Sequence, residues 1–231
     1  MLAATRAGTR RGRTTQGQWT SAVLENVYEC TSRDPNELEV WCYTDRLSYA
    51  PGDTVCFHVN TTADRYSLEI VLDGDEPTSV HGVEGLAGAM HPTPEDCSES
   101  GCGWPVAYEF ALPRDWQSGG YIVRTSVRRD NQRFEHRHMF VLRPAVPSRD
   151  ARMVLVCATG TWIAYNEWGG SNHYEGITGP NINAFATRLS TQRPWSRGFV
   201  SQPKGAPRIG LDRPPVMGAA PGLCARRHHT A

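Results

Sequence analysis

The sequence predicts a mainly β fold: an Ig-like β-sandwich followed by the incomplete start of an α/β domain. Between about residues 37 and 145, apolar and polar residues alternate in short runs, which is typical of half-buried strands. From residue 153 the pattern changes, because MVLVC is an unbroken apolar run, as expected of a strand covered on both faces. The 22 glycines and 16 prolines favour many turns and disfavour a helical bundle.

The strands of the predicted sandwich are short and are separated by turn sequences. The clearest alternation places Val55, Phe57 and Val59 on one face, and residues 66, 68, 70 and 72 repeat the pattern. Further strands are predicted at 39–43, 106–112, 121–127 and 134–142. Residues 84–104 are predicted to be a loop-rich insertion. Six or seven short strands without an amphipathic helix between them favour the Ig-like arrangement.

Four regions follow along the chain. Residues 1–36 are predicted to be a disordered basic extension, and residues 37–145 the sandwich. Residues 146–208 begin the α/β domain, and residues 209–231 form an unstructured tail, for which a frameshift is one explanation. The formal net charge is zero, but a basic head and a basic tail enclose an acidic middle. Lys204 is the one lysine among 24 basic residues, which fits a GC-rich coding sequence.

Composition excludes several classes of protein. There is no apolar run of about 18 residues that could cross a membrane and no secretory h-region, so we expect a cytoplasmic protein without a membrane partner. The acidic middle would repel phosphate, which excludes nucleic acid as a partner. The seven cysteines are odd in number and include no C-x-x-C pair. Free thiols are therefore favoured, and a small ring closed by Cys97 and Cys102 is the alternative.

The stretch TWIAYNEWGG at residues 161–170 concentrates aromatic and polar side chains directly after the apolar run. In open α/β sheets, ligands bind beyond the carboxyl ends of the strands. Two interpretations stay open. The stretch is either an aromatic turn that docks two domains, or a pocket wall in which Tyr165 is a ligand or proton donor.

Several motifs resemble one family. Residues 43–53 (YTDRLSYAPGD) resemble the opening strand of the N,N-dimethylformamidase large (beta) subunit family, and residues 153–157 with 161–170 resemble its VLVLP and TWQAYN-x-WGG segments. GCGWP at 101–105 and residues 116–123 extend the resemblance to about 38–208. It implies a sandwich domain followed by an α/β domain of glutamine-amidotransferase type. It also implies that this chain is the N-terminal portion and lacks the C-terminal catalytic half.

The same resemblance implies a chemistry. The family's type enzyme hydrolyses a small tertiary formamide with iron held by a Tyr, a His and a Glu, and Tyr165 matches the tyrosine. The His and Glu are expected in an H-x-E motif downstream of this chain, and the HYE at 173–175 is not that motif. Trp162, Asn166 and Trp168 are expected to line the substrate pocket, because aromatic walls suit a small N-methylated amide.

We therefore expect a fragment of an iron-dependent amide (C–N) hydrolase that is inactive alone and whose catalytic residues are not identified. The alternative is a non-catalytic β-sandwich interaction module. The expected partner is a small amide substrate, and a homo-oligomer is left open.

Two further motifs have competing interpretations. Cys157 ends the apolar run where related folds carry a nucleophile, but a structural thiol is favoured because no activating histidine is placed near it. His136 and His138 lie two apart on a predicted strand and share a face. That spacing would permit metal chelation, and an exposed polar strand face is the favoured interpretation.

Overall fold

Strands dominate the computed structural model, which describes residues 29–74, 76–147, 149, 153–176 and 184–200. Within these ranges the elements follow in the order β1 (Val40–Thr44), β2 (Ser48–Tyr49), β3 (Thr54–Thr61), β4 (Arg65–Asp73), β5 (Thr78–Ala87), α1 (Cys97–Ser100), β6 (Val106–Ala111), β7 (Gly119–Arg129), β8 (Gln132–Leu142) and α2 (Thr159–Tyr165). The predicted mainly β composition is confirmed.

The strands form two sheets. One sheet has the order β1-β3-β6 and the other β2-β8-β7-β4-β5. The pairs are antiparallel except that the short β2 runs parallel to β8. The β7–β8 hairpin turns at Asp130, whose φ of 53° places it in the left-handed region that tight turns require.

The main core lies between the two sheets, and the predicted period-2 pattern produces it. Val55, Phe57 and Val59 of β3 are all buried and face residues of β4, β7 and β8. The other large members of this core include Tyr49, Leu68, Ile70, Tyr121, Val123 and Phe140. Alternating strands bury one face and leave the other free, so a second layer can cover the outer face of the larger sheet.

Two strands were not predicted. β5 overlaps the start of the predicted loop-rich insertion. It gives no period-2 pattern, because Gly82 and Gly85 interrupt its apolar residues and most of its side chains are exposed. β2 has only two residues, too few to show a periodicity. The other six strands fall within a few residues of their predicted positions.

The prediction of a buried strand at residues 153–157 is wrong for this structure. The segment has no strand assignment, and Met153, Val154, Leu155 and Val156 are 87%, 85%, 64% and 83% exposed. A strand with two apolar faces needs hydrogen-bonding neighbours and a layer on each side. The described residues supply neither for this segment.

A layer of mostly irregular chain covers the outer face of the larger sheet. We call it the covering layer, and it comprises the described residues between 157 and 200. Trp162 and Trp195 from this layer pack on Ile122 of β7 and Met139 of β8. The first half of the aromatic stretch at 161–170 lies in α2, which begins at Thr159.

The preference for an exposed face at His136 and His138 is also wrong, because both rings are fully buried. The backbone N–H of Cys42 donates to Nδ1 of His136 (3.2 Å), and the N–H of Thr44 donates to Nε2 of His138 (3.3 Å). These donors belong to β1, the edge strand of the smaller sheet. The two rings therefore satisfy an edge that would otherwise lack partners.

The predicted extension and tail fall mostly on residues 1–28 and 201–231, outside the described residues. The described residues 29–36 contact the body, since the Glu29 carbonyl accepts a hydrogen bond from Gly169 N–H (2.7 Å). Asp45 and Arg46 form an ion pair at 3.2 Å. No helix in the described ranges is long and apolar enough to cross a membrane.

Candidate functional site

The predicted site lies on α2 and the turn that follows it. α2 spans only seven residues and is followed by Asn166, whose backbone is extended. Gly169 and Gly170 have φ angles of 85° and 92°, a conformation that L side chains rarely adopt. A Cβ added at Gly169 would lie 2.7 Å from the Cys97 Sγ atom. The glycine pair is thus required both by the turn and by the approach of α1.

Tyr165 is the last residue of α2 and is partly exposed. Its ring stacks on Tyr174 with 4.4 Å between centroids, and its inner edge packs against the covering layer's apolar cluster. The neighbouring His173 is exposed and is held by its backbone N–H, which donates to the Ala164 carbonyl (3.1 Å). The phenol therefore sits at the surface of the layer, on a fixed aromatic stack.

Asn166 is buried and organises the chain around the site. Its Nδ2 donates to the Pro194 carbonyl (2.8 Å), and its Oδ1 accepts from the backbone N–H groups of Trp168 (3.3 Å) and Ser196 (3.1 Å). One side chain thus joins the turn after α2 to residues 194–196. In this irregular segment, hydrogen bonds from a side chain take the place of the backbone hydrogen bonds that a helix or strand would form.

The two tryptophans of the motif point into different clusters. Trp162 packs with the apolar cluster over the larger sheet. Trp168 is fully buried and meets Trp41 and Trp104 edge-on, with centroid distances of 5.7 and 5.9 Å. The structure therefore separates Trp162 and Trp168 into two packing clusters, and Asn166 lies between them in the chain with its side chain in backbone hydrogen bonds. Their contact with a substrate stays a prediction.

Arg193 is a central residue that the sequence analysis missed. It is only 2% exposed, and its guanidinium donates to the carbonyls of Ser190, Asn166, Trp168 and Ser171. Burial lowers the pKa of Arg193 to about 10, so it stays charged at neutral pH. Nothing in the local pattern separates this arginine from the other 22, because its partners are assembled only by the tertiary fold.

The described residues do not by themselves fit a complete iron centre. No group of three or more His, Cys, Asp or Glu residues that could hold a metal ion occurs among them. Tyr165 carries a phenol oxygen of the kind that binds iron, but one phenol is not a metal site without imidazole or carboxylate partners. His136 and His138, the other candidate pair, use ring nitrogens on the backbone of β1 and of Trp195.

Cys157 lies near the start of the covering layer and is partly buried against its apolar cluster. Burial raises its pKa, which lowers the fraction present as the nucleophilic thiolate. This environment supports the structural interpretation of the thiol over the nucleophilic one.

A polar groove of about 970 Å³ crosses another part of the larger sheet's outer face. Arginines and glutamates from β4, β5, β7 and β8 line it, among them Arg65, Glu69, Glu84, Arg124, Arg128, Glu135 and Arg137. Its lining contains none of the predicted site residues. The predicted pocket and this groove are therefore different places on the same sheet face.

Comparison of the sequence with models of protein families gives a family match. A sequence model described as the C-terminal part of the N,N-dimethylformamidase beta subunit-like family matches residues 70–213, more than half of the 231-residue chain. No curated protein matches. The matched region begins within β4 and includes α2 and the glycine turn. Because the model describes the family's C-terminal part, the predicted assignment of this chain to an N-terminal portion is not confirmed.

Proposed function

This chain belongs to the N,N-dimethylformamidase beta subunit-like family, and on that premise we propose that it is part of a hydrolase of small amides. The reaction adds water across a C–N bond and yields a carboxylic acid and an amine. The family match over residues 70–213 is the observation that carries this proposal.

Tyr165 is the residue we propose to face the reacting centre. It ends α2 beside the glycine turn, and its ring is fixed by the 4.4 Å stack on Tyr174. Asn166 and Arg193 hold the chain on either side through bonds to backbone carbonyls. This arrangement supports a positioned phenol at the surface of the covering layer.

We propose iron as the metal of the complete enzyme, by the resemblance of the motifs around Tyr165. The described residues supply one candidate ligand, so the remaining ligands would have to come from residues outside the described ranges. By the same resemblance we propose that the 231-residue chain is a fragment that is inactive alone. Substrate contact by Trp162, Asn166 and Trp168 belongs to the same proposal.

The domain assignment is also a proposal. An Ig-like sandwich is supported by two facing sheets of three and five strands and by the parallel pairing of β2 with β8. An amidotransferase-like α/β domain is supported by the apolar run that Met153–Val156 exposes, since further chain would be needed to cover it.

The test compares Tyr165→Phe with Tyr174→Phe in the product of the complete gene, assayed on small N-alkyl formamides with metal analysis. Both variants keep the stacked rings, and each removes one hydroxyl. We expect Tyr165→Phe to lose activity and bound iron by about 100-fold or more, and Tyr174→Phe to retain both.

Several outcomes would contradict parts of the proposal. Full activity of Tyr165→Phe removes the role of its hydroxyl. Amide hydrolysis by the 231-residue chain alone removes the fragment proposal and keeps the hydrolase. Absence of both activity and metal from the complete product favours the non-catalytic interaction module.

A further inference from the structure

Three cysteine thiols meet in one buried cluster on the smaller sheet. Cys97 begins α1, Cys102 follows the same turn, and Cys30 comes from the first described segment of the chain. Cys97 and Cys102 pack among Trp41, Trp104 and Trp168, and Cys30 packs against this group. The Cys97 thiol raises the pKa of Cys30, and the Cys102 thiol raises the pKa of Cys97, so both neighbours lie close enough to Cys97 to act on its sulfur. Cys97 is therefore the shared neighbour of two other thiols.

The backbone holds the cluster in a fixed arrangement. Gly101 N–H donates to the Cys97 carbonyl (3.0 Å), and Cys102 N–H donates to the Gln192 carbonyl (2.9 Å). A Cβ at Gly101 would lie 2.9 Å from the Ser190 Oγ atom. The close approach of Gly169 to Cys97 confines that sulfur from the other side. The backbone of the turn and the close approach of Gly169 thus restrict the position of the Cys97 sulfur.

A buried positive charge lies beside the cluster. Arg193 forms no ion pair with a carboxylate within the described ranges, and its guanidinium interacts electrostatically with Cys97 and Cys102. Buried charges are normally compensated. A thiolate that forms transiently at Cys97 or Cys102 would be stabilised by this guanidinium.

Access to the cluster is unequal. Cys97 and Cys102 are 1% and 3% exposed, whereas Cys30 is only partly buried. An oxidant arriving from solvent therefore reaches Cys30 first. The inner thiols are shielded, and Cys97 is positioned to attack whatever forms on the outer sulfur.

We propose that Cys30, Cys97 and Cys102 form a peroxide-sensitive modification site in which Cys97 is the shared disulfide partner. Hydrogen peroxide oxidises the Cys30 thiol to a sulfenic acid and releases one water. The Cys97 sulfur then attacks the Cys30 sulfur, which forms a disulfide and releases a second water. Two thiols lose two hydrogens and two electrons in total, and one peroxide is reduced to two waters.

A thiol–disulfide exchange with Cys102 completes the reaction. Its thiolate attacks the Cys97 sulfur, the Cys97–Cys102 bond forms, and Cys30 leaves and takes up the proton that Cys102 lost. The bond that joined residue 30 to α1 is replaced by one that closes the turn beneath Trp168. Hydrogen bonding with Cys102 raises the pKa of Cys97 to about 12, so the reduced cluster is protonated and reacts slowly at neutral pH.

The experiment treats the 231-residue protein with hydrogen peroxide in the presence of dimedone, which traps sulfenic acids, and maps the products by mass spectrometry without reduction. Cys56 is the matched control, because it is partly exposed on β3 and its thiol contacts Glu109 (3.9 Å) with no neighbouring thiol among its described hydrogen bonds. We expect disulfide-linked peptides that contain Cys97, and dimedone adducts at Cys56.

Cys97→Ser should abolish both disulfides and leave a dimedone adduct at Cys30, whereas Cys56→Ser should leave the Cys97 disulfides unchanged. The proposal is overturned if wild-type Cys30 accumulates as its dimedone adduct to the same extent as Cys56. Disulfides that omit Cys97 also overturn it. Should Cys97→Ser not fold, the wild-type peptide map still decides between these outcomes.

Discussion

The two-sheet body and the covering layer of this protein are held together by different forces. In the body, regular ladders satisfy the backbone and alternating side chains such as Phe57 and Leu68 fill the space between the sheets. In the covering layer, α2 is the one described helix and much of the backbone is irregular. There the side chains of Asn166 and Arg193 satisfy the carbonyls and N–H groups that no ladder reaches.

Because of this difference, we expect the two regions to respond differently to mutation. Loss of one apolar side chain in the body leaves a cavity, but the ladders remain. Loss of one polar side chain in the covering layer leaves several buried backbone groups without a hydrogen-bond partner at once. The body should thus respond to mutation as a cooperative unit, and the layer should loosen locally.

The largest expected effect is in the body. Replacing Phe57 with Ala should lower the free energy of unfolding by about 3–5 kcal/mol, because the fully buried ring leaves a cavity between the sheets. Val106→Ala on β6 is the control, since Val106 is 46% exposed and should change stability by less than about 0.5 kcal/mol. Urea unfolding measures both. Equal effects would show that the interface between the sheets is not the main core.

The second prediction concerns the stability of the protein at acid pH and the two buried histidines, His136 and His138. Burial lowers the pKa of His136 to about 4 and that of His138 well below its ordinary value. In the unfolded chain both titrate near 6.5. As pH falls from about 6.5 toward 4, the unfolded state binds more protons than the folded state, so stability decreases. His136 alone should account for roughly 3 kcal/mol.

Urea unfolding at several pH values between 7 and 4 tests this expectation. His136→Gln should weaken the dependence and leave the contribution of His138, because an amide can accept from Cys42 N–H and donate to the Trp195 carbonyl without titrating. A wild-type stability that does not change across this window would contradict the neutral, buried state of the rings. The effect of His136→Gln bears on both regions, since His136 joins β1 of the body to Trp195 of the covering layer.

The smallest expected effect lies in the covering layer. Asn166→Ala should cost about 1–3 kcal/mol, because it leaves the Pro194 carbonyl and the Ser196 N–H without their partner. Hydrogen exchange should rise in residues 159–200 and stay unchanged in β3, β4 and β7. The exposed Asn36 provides the control Asn36→Ala. Faster exchange throughout the sheets would contradict the separation of the two regions.

Some of this molecule could be predicted from the sequence. Alternation over residues 55–59 and 66–72 placed β3 and β4 correctly, since a strand that buries one face must repeat every two residues. The sequence also located the aromatic stretch at 161–170, which the structure forms as the end of α2 and a glycine turn. β5 was missed because its exposure and its glycines remove the periodic signal.

Other features required the tertiary structure. The apolar run at Met153–Val156 has the composition of a buried strand, but burial depends on neighbours, and the described chain leaves it exposed. His136 appeared to be a surface residue, yet its partner Cys42 lies 94 positions earlier in the chain. The candidate site shows the same division. The sequence indicated Tyr165 and Asn166, which lie in one motif, but not Arg193, whose partners come from other segments.

The sequence by itself determined the mainly β architecture, the family and the position of the motif that ends in Gly169 and Gly170. These depend on local periodicity and on short runs of residues. The tertiary structure alone decided which polar side chains are buried and what they satisfy. The contact of Arg193 with the thiols of Cys97 and Cys102, and that of His136 and His138 with the edge of β1, arise because distant segments meet. Burial and hydrogen-bond partners are properties of the packed chain, and no local pattern contains them.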